Sequence, residues 1–446
     1  MWTVAQLGAD LAAGRTTSRE LVEQALARIA DPAGEGARAF MKVYAEAARA
    51  EAEHCDRLRK AGVRRSAVDG LPVSLKDLFD VAGDVTRAGS KAYAQKAERD
   101  AGAVARLRAA GAILIGRTNM VEFAFGGVGL NPHYGTPKNP WDRATGRVPG
   151  GSSSGAAVAQ ADGMCVMALG SDTRGSIRQP AALCGIAGFK PTARRVPREG
   201  AFPLSFTLDS VGPLANSIAC CAAYDAVLAG EENPDLPELP AKGLRLLVPK
   251  SSALQDLDPQ VEKAFFGAVE RLRAAGALLD EVPMPAFDRQ DQYFKGGGLA
   301  GAEVAYIHKP LADRIAEYDP RVGKRIAMGT TLSAADYVEL LQLRAAYIAE
   351  VERRAAPYDA IVMPTAPCVA PSIAEASESD EAYFRWNFRI MRNTGLVNFL
   401  DGCAATLPCH ERGAAPVGFT VCGGAGRDRH VLAVAAAVER ALAGAR

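Results

Sequence analysis

Three short stretches of this chain bring together side chains capable of chemistry. The first is Pro149-Gly150-Gly151-Ser152-Ser153-Ser154-Gly155, which runs directly into Ala156 and Ala157. A Gly/Ser loop entering a helix offers several hydroxyls and free backbone N–H groups in a small space. Taken alone it also suits a flexible linker or an anion cradle at a helix N-terminus. A nucleotide P-loop would place Lys-Ser or Lys-Thr after its last glycine, where this chain has Ala-Ala. The second stretch is Leu169-Gly170-Ser171-Asp172-Thr173-Arg174-Gly175-Ser176-Ile177-Arg178-Gln179-Pro180. A serine on a tight turn after a buried strand can project its hydroxyl into a cleft. The amides of that turn then converge near it, as stabilisation of a tetrahedral oxyanion requires. An isolated Gly-Ser is ordinarily just a polar turn. The third stretch, Gly70-Leu71-Pro72-Val73-Ser74-Leu75-Lys76-Asp77, ends an apolar run on a lysine. Most lysines snorkel to water. A desolvated one can fall about 3 units from its usual value near 10.4, equivalent to about 4 kcal/mol, and become a general base.

A Ser–His–Asp arrangement has less support. The histidines are His54, His133, His308, His410 and His430, and none lies in or beside either serine loop. Ser176 sits in Arg174-Gly175-Ser176-Ile177-Arg178, which is not a G-x-S-x-G elbow. Lysine is the better base.

The elements that must position these residues follow from periodicity. Thr17 and Glu20 form a capping box ahead of Leu21, Val22, Ala25, Leu26 and Ile29, which recur at helical spacing. An Ala/Glu/Arg-rich segment from Ala39 to Ala61 extends this helical beginning. From residue 70 onward, strands alternate with helices. Expected strands are Ala112–Ile115, Met164–Leu169, Leu244–Val248, Ala277–Val282, Asp359–Met363 and Val417–Val421. Expected helices are Ala103–Ala110, Ala156–Ala161, Gln260–Ala275 and His430–Leu442. The fold class is α/β, a large mixed β-sheet core covered by helices on both faces. Glu231 to Lys242, rich in Pro and Glu, reads as an exposed linker. Residues from Asp288 to about 350 read as a helical insertion over the core.

With 446 residues, 48% apolar and 23% charged, the chain has an ordinary globular composition. Its 52 basic and 51 acidic residues leave a net charge of +1, with no footprint for nucleic acid or an anionic membrane. No signal peptide or membrane-length apolar run is visible. Nine cysteines without a C-x-x-C pair read as buried thiols, which suits a cytoplasmic location and gives no zinc site.

Taken together, the three stretches resemble the amidase signature family. Its pattern is G-x-P-x-x-x-K-D, then a GGSS[GS]G loop, then G-[ST]-D-T-x-G-S-I-R-x-P. All three occur here in that order, with 76 positions from Lys76 to Ser152 and 24 from Ser152 to Ser176. Arg117 to Phe123, Lys138 to Asp142, Gly188 to Thr192, Asp209 to Ala215 and Tyr358 to Thr365 are similar to further family segments, so the resemblance spans nearly all of residues 1–446 as one amidase domain. Within it lie an N-terminal helical segment (1–65), a signature core (66–230) and the remainder of the sheet (243–446).

The resemblance implies a triad of Lys76, Ser152 and Ser176 with a cis Gly151–Ser152 peptide bond. It also implies an acyl-enzyme on Ser176, with oxyanion contacts from the backbone of Thr173, Arg174, Gly175 and Ser176, and no metal or organic cofactor. Ser153, Asp172 and Arg178 match the pattern and are expected to hold the two loops. Met120 and Gly126, with Phe123 and Phe125, are candidates for the acyl pocket, although such a cluster is also ordinary core. Asn393 and Asn398 are candidates for the cleft border. Where the family often has Gly-Gly before the nucleophile, this chain has Arg174-Gly175. That guanidinium either favours a small polar or anionic amide, urea-like amides among them, or turns away into a surface ion pair. The expected partner is a small-molecule amide, with a homodimer as the assembly and no direct nucleic-acid or membrane contact. The alternatives are the A subunit of a tRNA-dependent glutamine amidotransferase, passing ammonia to a partner protein, and a non-enzymatic anion binder.

Overall fold

A computed structural model of the chain describes residues 2–443. Eleven strands form one sheet. Across it they run Phe40–Val43, Ile113–Thr118, Pro72–Lys76, Met167–Asp172, Ser210–Ala215, Ala187–Lys190, Cys403–Pro408, Gly418–Gly423, Ala360–Pro364, Arg245–Lys250 and Leu278–Pro283. Parallel and antiparallel pairs are mixed, so the expected α/β class holds. The 72–76 strand is buried at every position and lies between two parallel neighbours, 113–118 and 167–172. The strand is covered on both faces, with Val73 and Leu75 on one and Ser74 and Lys76 on the other, so Lys76 is buried although it is polar. Leu75 pairs with Leu169, so the carboxyl ends of these two strands emerge level with each other. Lys76 and the Ser171–Asp172 end of its neighbour therefore meet at one edge of the sheet.

The helix Ser18–Ala30 carries the expected capping box of Thr17 and Glu20, and it buries Leu21, Val22, Ala25, Leu26 and Ile29. Fully burying a large aliphatic side chain contributes about 1.5–3 kcal/mol, so this one face outweighs any propensity term. The helix that follows is shorter than expected, Ala45–Lys60. Phe40–Val43 instead forms the edge strand, antiparallel to 113–118, because Phe40 finds its cover on the sheet. The strand expected at Met164–Leu169 starts and ends three residues later, at Met167–Asp172. Its polar end, Ser171-Asp172, still pairs with Ser210 and Val211, which an apolar criterion does not register. Strands 187–190, 210–215 and 403–408 escape that criterion as well. All of them are paired within the interior of the sheet.

Residues 231–242 contain neither helix nor strand. The segment after Asp288 is helical, with Gln290–Tyr293, Gly298–Ile307, Pro320–Gly329 and Ala334–Ala355. It anchors on the sheet domain through Tyr293, stacked on Phe399 at 4.6 Å, and Tyr347, edge-on to Phe399 at 5.2 Å. This cap brings Phe294 and Arg325 toward the carboxyl ends of strands 72–76 and 167–172.

Candidate active site

Lys76 ends its strand with no exposed surface. Its Nζ lies 2.7 Å from Ser152 Oγ and 2.9 Å from Ser171 Oγ. Burial pulls the ammonium down to about 7, against the opposing pull of the Asp172 and Asp209 carboxylates. Near neutral pH a large fraction of this amine carries a free lone pair. The motifs assign no role to Ser171. Its one signal is position, since it stands at the end of the strand that neighbours Lys76.

Ser152 belongs to the Gly/Ser loop that enters the helix Ser154–Ala161, and the Gly151–Ser152 peptide bond is cis. The loop is clamped from below: Gly151 N–H donates to the Gly127 carbonyl at 2.7 Å, and Val121 N–H to the Ser152 carbonyl at 3.1 Å. Ser153 Oγ reaches the Ser171 carbonyl at 3.5 Å, which joins this loop to the second one.

The turn bearing Ser176 is built around Asp172. Its carboxylate accepts from Gly175 N–H at 2.8 Å and Ile177 N–H at 3.2 Å, and takes a two-pronged contact from Arg178 at 3.0 Å. Asn398 Nδ2 adds a bond at 2.9 Å. Burial would raise the Asp172 carboxyl, but the charge and hydrogen bonds of Arg178 prevail and hold it down at about 2. Gly175 has φ 122, and a Cβ there would collide with Thr394 Oγ1 and Gln179 Nε2. Only glycine satisfies both conditions. Ser176 follows at 7% exposure. Among the described residues its hydroxyl makes no hydrogen bond to Ser152.

Thr173 Oγ1 donates to Asp209, whose other oxygen accepts from the N–H groups of Leu204 and Ser205 at 2.9 and 3.0 Å. Burial raises the Asp209 carboxyl. Ser171, Thr173 and Asp209 face a cavity of about 300 Å³ whose apolar wall includes Ala124, Phe202 and Leu204. Met120 is wholly buried beside Gly89, so Ala124 and not Met120 reaches this wall. Gly126 leaves room for the Tyr383 hydroxyl, which would stand 2.7 Å from any Cβ placed there. Phe123 packs edge-on against His308 at 4.5 Å, and Phe125 lies under Arg325. Asn393 Nδ2 donates to the Ala253 and Pro364 carbonyls, tying a short 3-10 turn to the end of the strand Ala360–Pro364, and Asn398 braces Asp172. Arg174 makes no ion pair among the described residues. Its guanidinium lies over the Phe294 ring at 3.7 Å. No group of three or more His, Cys, Asp or Glu among the described residues is arranged to hold a metal ion.

The chain is similar to known proteins over almost its whole length. The profile of the amidase family matches residues 20–432. The chain is 36% identical to 2-amino-5-chloromuconic acid deaminase of Comamonas testosteroni, over 88% of this chain and 86% of that protein. It is 33% identical to the A subunit of the glutamyl-tRNA(Gln) amidotransferase of Synechococcus sp. (strain WH7803), over 98% and 96% of the two chains. A crystal structure of an amidase superposes with a TM-score of 0.89 at 34% identity, covering 98% of this chain and 99% of the other.

Proposed function

Because the chain belongs to the amidase family, we propose that it hydrolyses the C–N bond of a small-molecule amide through an acyl-enzyme on Ser176. The observation that carries this reading is the dry Lys76 amine, 2.7 Å from the Ser152 hydroxyl. In its neutral form the amine uses an N–H on Ser171 and its lone pair on Ser152. Ser152 passes its proton to Lys76 and takes one from Ser176, whose alkoxide attacks the amide carbonyl. Relay contacts of this kind are commonly long in an unliganded enzyme and tighten with substrate. Gly175 N–H is committed to Asp172, so the oxyanion is met by the N–H groups of Thr173, Arg174 and Ser176. The proton returns through Ser152 to the leaving nitrogen. Water then enters by the same relay and releases the acid.

A fluorophosphonate should label wild-type protein at Ser176, read by peptide mass spectrometry. Ser176→Ala should lose both label and turnover, and Lys76→Ala should lose several orders of magnitude in kcat. Unlabelled Ser176, or wild-type turnover in either variant, would remove the assignment. The likeness to amidotransferase A subunits supports a second reading, in which the same hydrolysis supplies ammonia to a partner.

A further inference from the structure

A buried carboxylate without a cation beside it is costly unless hydrogen bonds surround it. Glu303, on the cap helix Gly298–Ile307, is such a group. It is 6% exposed and has no lysine, arginine or histidine within ion-pair distance among the described residues. Its donors come from two places. Tyr337, on the cap helix Ala334–Ala355, donates its hydroxyl at 2.8 Å. The other three donors belong to the loop that leads into strand 210–215. They are the Ser205 and Thr207 hydroxyls and the Thr207 N–H, the last at 3.2 Å. One carboxylate thus fastens that loop to the cap.

The loop carries this hold to the proposed reaction centre. Leu204 N–H and Ser205 N–H donate to one oxygen of Asp209 at 2.9 and 3.0 Å, and the other oxygen accepts from the Thr173 hydroxyl. The path from Glu303 to Thr173 runs through Ser205 and Asp209 alone, with a hydrogen bond at each step. Thr173 opens the turn that carries Ser176, two residues past Ser171, the second partner of Lys76. Ser171, Thr173, Ser205 and Asp209 line one cavity of about 300 Å³. Arg198 also grips the loop, through the Phe206 and Asp209 carbonyls at 3.0 Å, but among the described residues no hydrogen bond joins it to the Asp209 carboxylate.

We propose that Glu303 is a positioning residue for the hydrolysis: through Ser205 and Asp209 it fixes Thr173, and so the N–H groups that meet the oxyanion. The role rests on the amidase reading above and adds to it a residue of the cap that touches no reacting atom. Oxyanion donors act on the transition state more than on bound substrate, so misplacing them lowers kcat while KM changes little. Lys76 feels the same path. Asp172 and Asp209 are the two carboxylates whose field opposes burial at its amine. Burial raises the Asp209 carboxyl against the pull of Thr173, the Ser205 and Leu204 N–H groups and the charge of Arg198. A loop released from Glu303 withdraws the two N–H donors, so Asp209 moves toward its neutral form and Lys76 loses a negative neighbour. The acid limb of the rate profile then shifts below about 7. Mere admission of water would move it the other way, toward the ordinary 10.5.

The test pairs kinetics with hydrogen exchange on the full chain, using whichever of propionamide, glutamine and benzamide the wild-type protein cleaves fastest. Glu303→Ala should lower kcat about tenfold or more, hold KM within about threefold, and shift the acid limb down. Glu303→Gln should keep kcat within about threefold, because its amide oxygen can take the Thr207 N–H while the rotatable Thr207 and Tyr337 hydroxyls accept from its nitrogen. Thr207→Val cuts the link from the loop side without touching the cap, and should show the alanine pattern at smaller size. Thr173→Val breaks the far end of the path, and combined with Glu303→Ala it should cost no more than the larger single loss. Losses that multiply, a limb that stays or moves up, or full kcat in Glu303→Ala would overturn the role and leave the hydrolase standing. Wild-type protein that cleaves none of the three amides, with faster exchange across residues 171–177 in Glu303→Ala, keeps the link and counts against the hydrolase. Unchanged exchange in that segment removes the link whatever the chain cleaves.

Discussion

At the scale of single residues, Lys76 determines what the site can do. Its folded value near 7 lies below the ordinary 10.5 because burial penalises the ammonium. As the base it must be neutral, so kcat/KM should rise about tenfold per pH unit up to about 7 and level off above, as a pH–rate profile would show. The same shift makes stability depend on pH as well, in a higher window. Between about pH 7 and 10.5 the unfolded chain binds more protons than the folded one, so stability rises with pH across that window. Lys76→Met, which fills similar space without a charge, should therefore unfold at pH 6 no more easily than wild type while being inactive. The run Pro72-Val73-Ser74-Leu75 made the burial of Lys76 legible. Ser171 as its second partner showed only once the pairing of their strands was known.

At the scale of elements, the strand–turn–helix from Met167 to Cys184 positions the nucleophile candidate. The strand ends in Asp172, and its carboxylate closes the turn by holding Gly175, Ile177 and Arg178. Gly175→Ala should cost about 2–4 kcal/mol in thermal unfolding, from the disfavoured φ and the clash with Thr394. It should also abolish turnover, because the displaced turn carries Ser176 with it. Normal activity in the alanine variant would show that the turn tolerates what its geometry forbids. The motif in this segment was readable residue by residue. Its extension to Asp172 as strand was not, since a polar strand end is paired by its neighbour at 210–215 and not by its own apolarity.

At the scale of the whole molecule, one sheet gathers strands from residue 40 to residue 423, and a helical cap from 290 to 355 closes over its edge. The proposed site takes Lys76 and Ser152 from the early part of the sheet, and the cap sets Phe294 against Arg174 beside it. If the hydrolase reading holds, the chain purified alone should turn over free amides, and added amidotransferase partners should not raise its rate. Activity that depends on copurifying subunits would favour the ammonia-supplying reading instead.

The sequence alone determined the family likeness, the α/β class and the identity of Lys76, Ser152 and Ser176 as the residues to watch, because each depends on local spacing and residue type. Only the tertiary structure decided which groups meet across long separations: Lys76 with Ser171, Asp172 with Asn398, and Arg174 with Phe294 and within the field of Arg325. Whether a charge is neutralised depends on what packs against it, and that is a property of the folded chain.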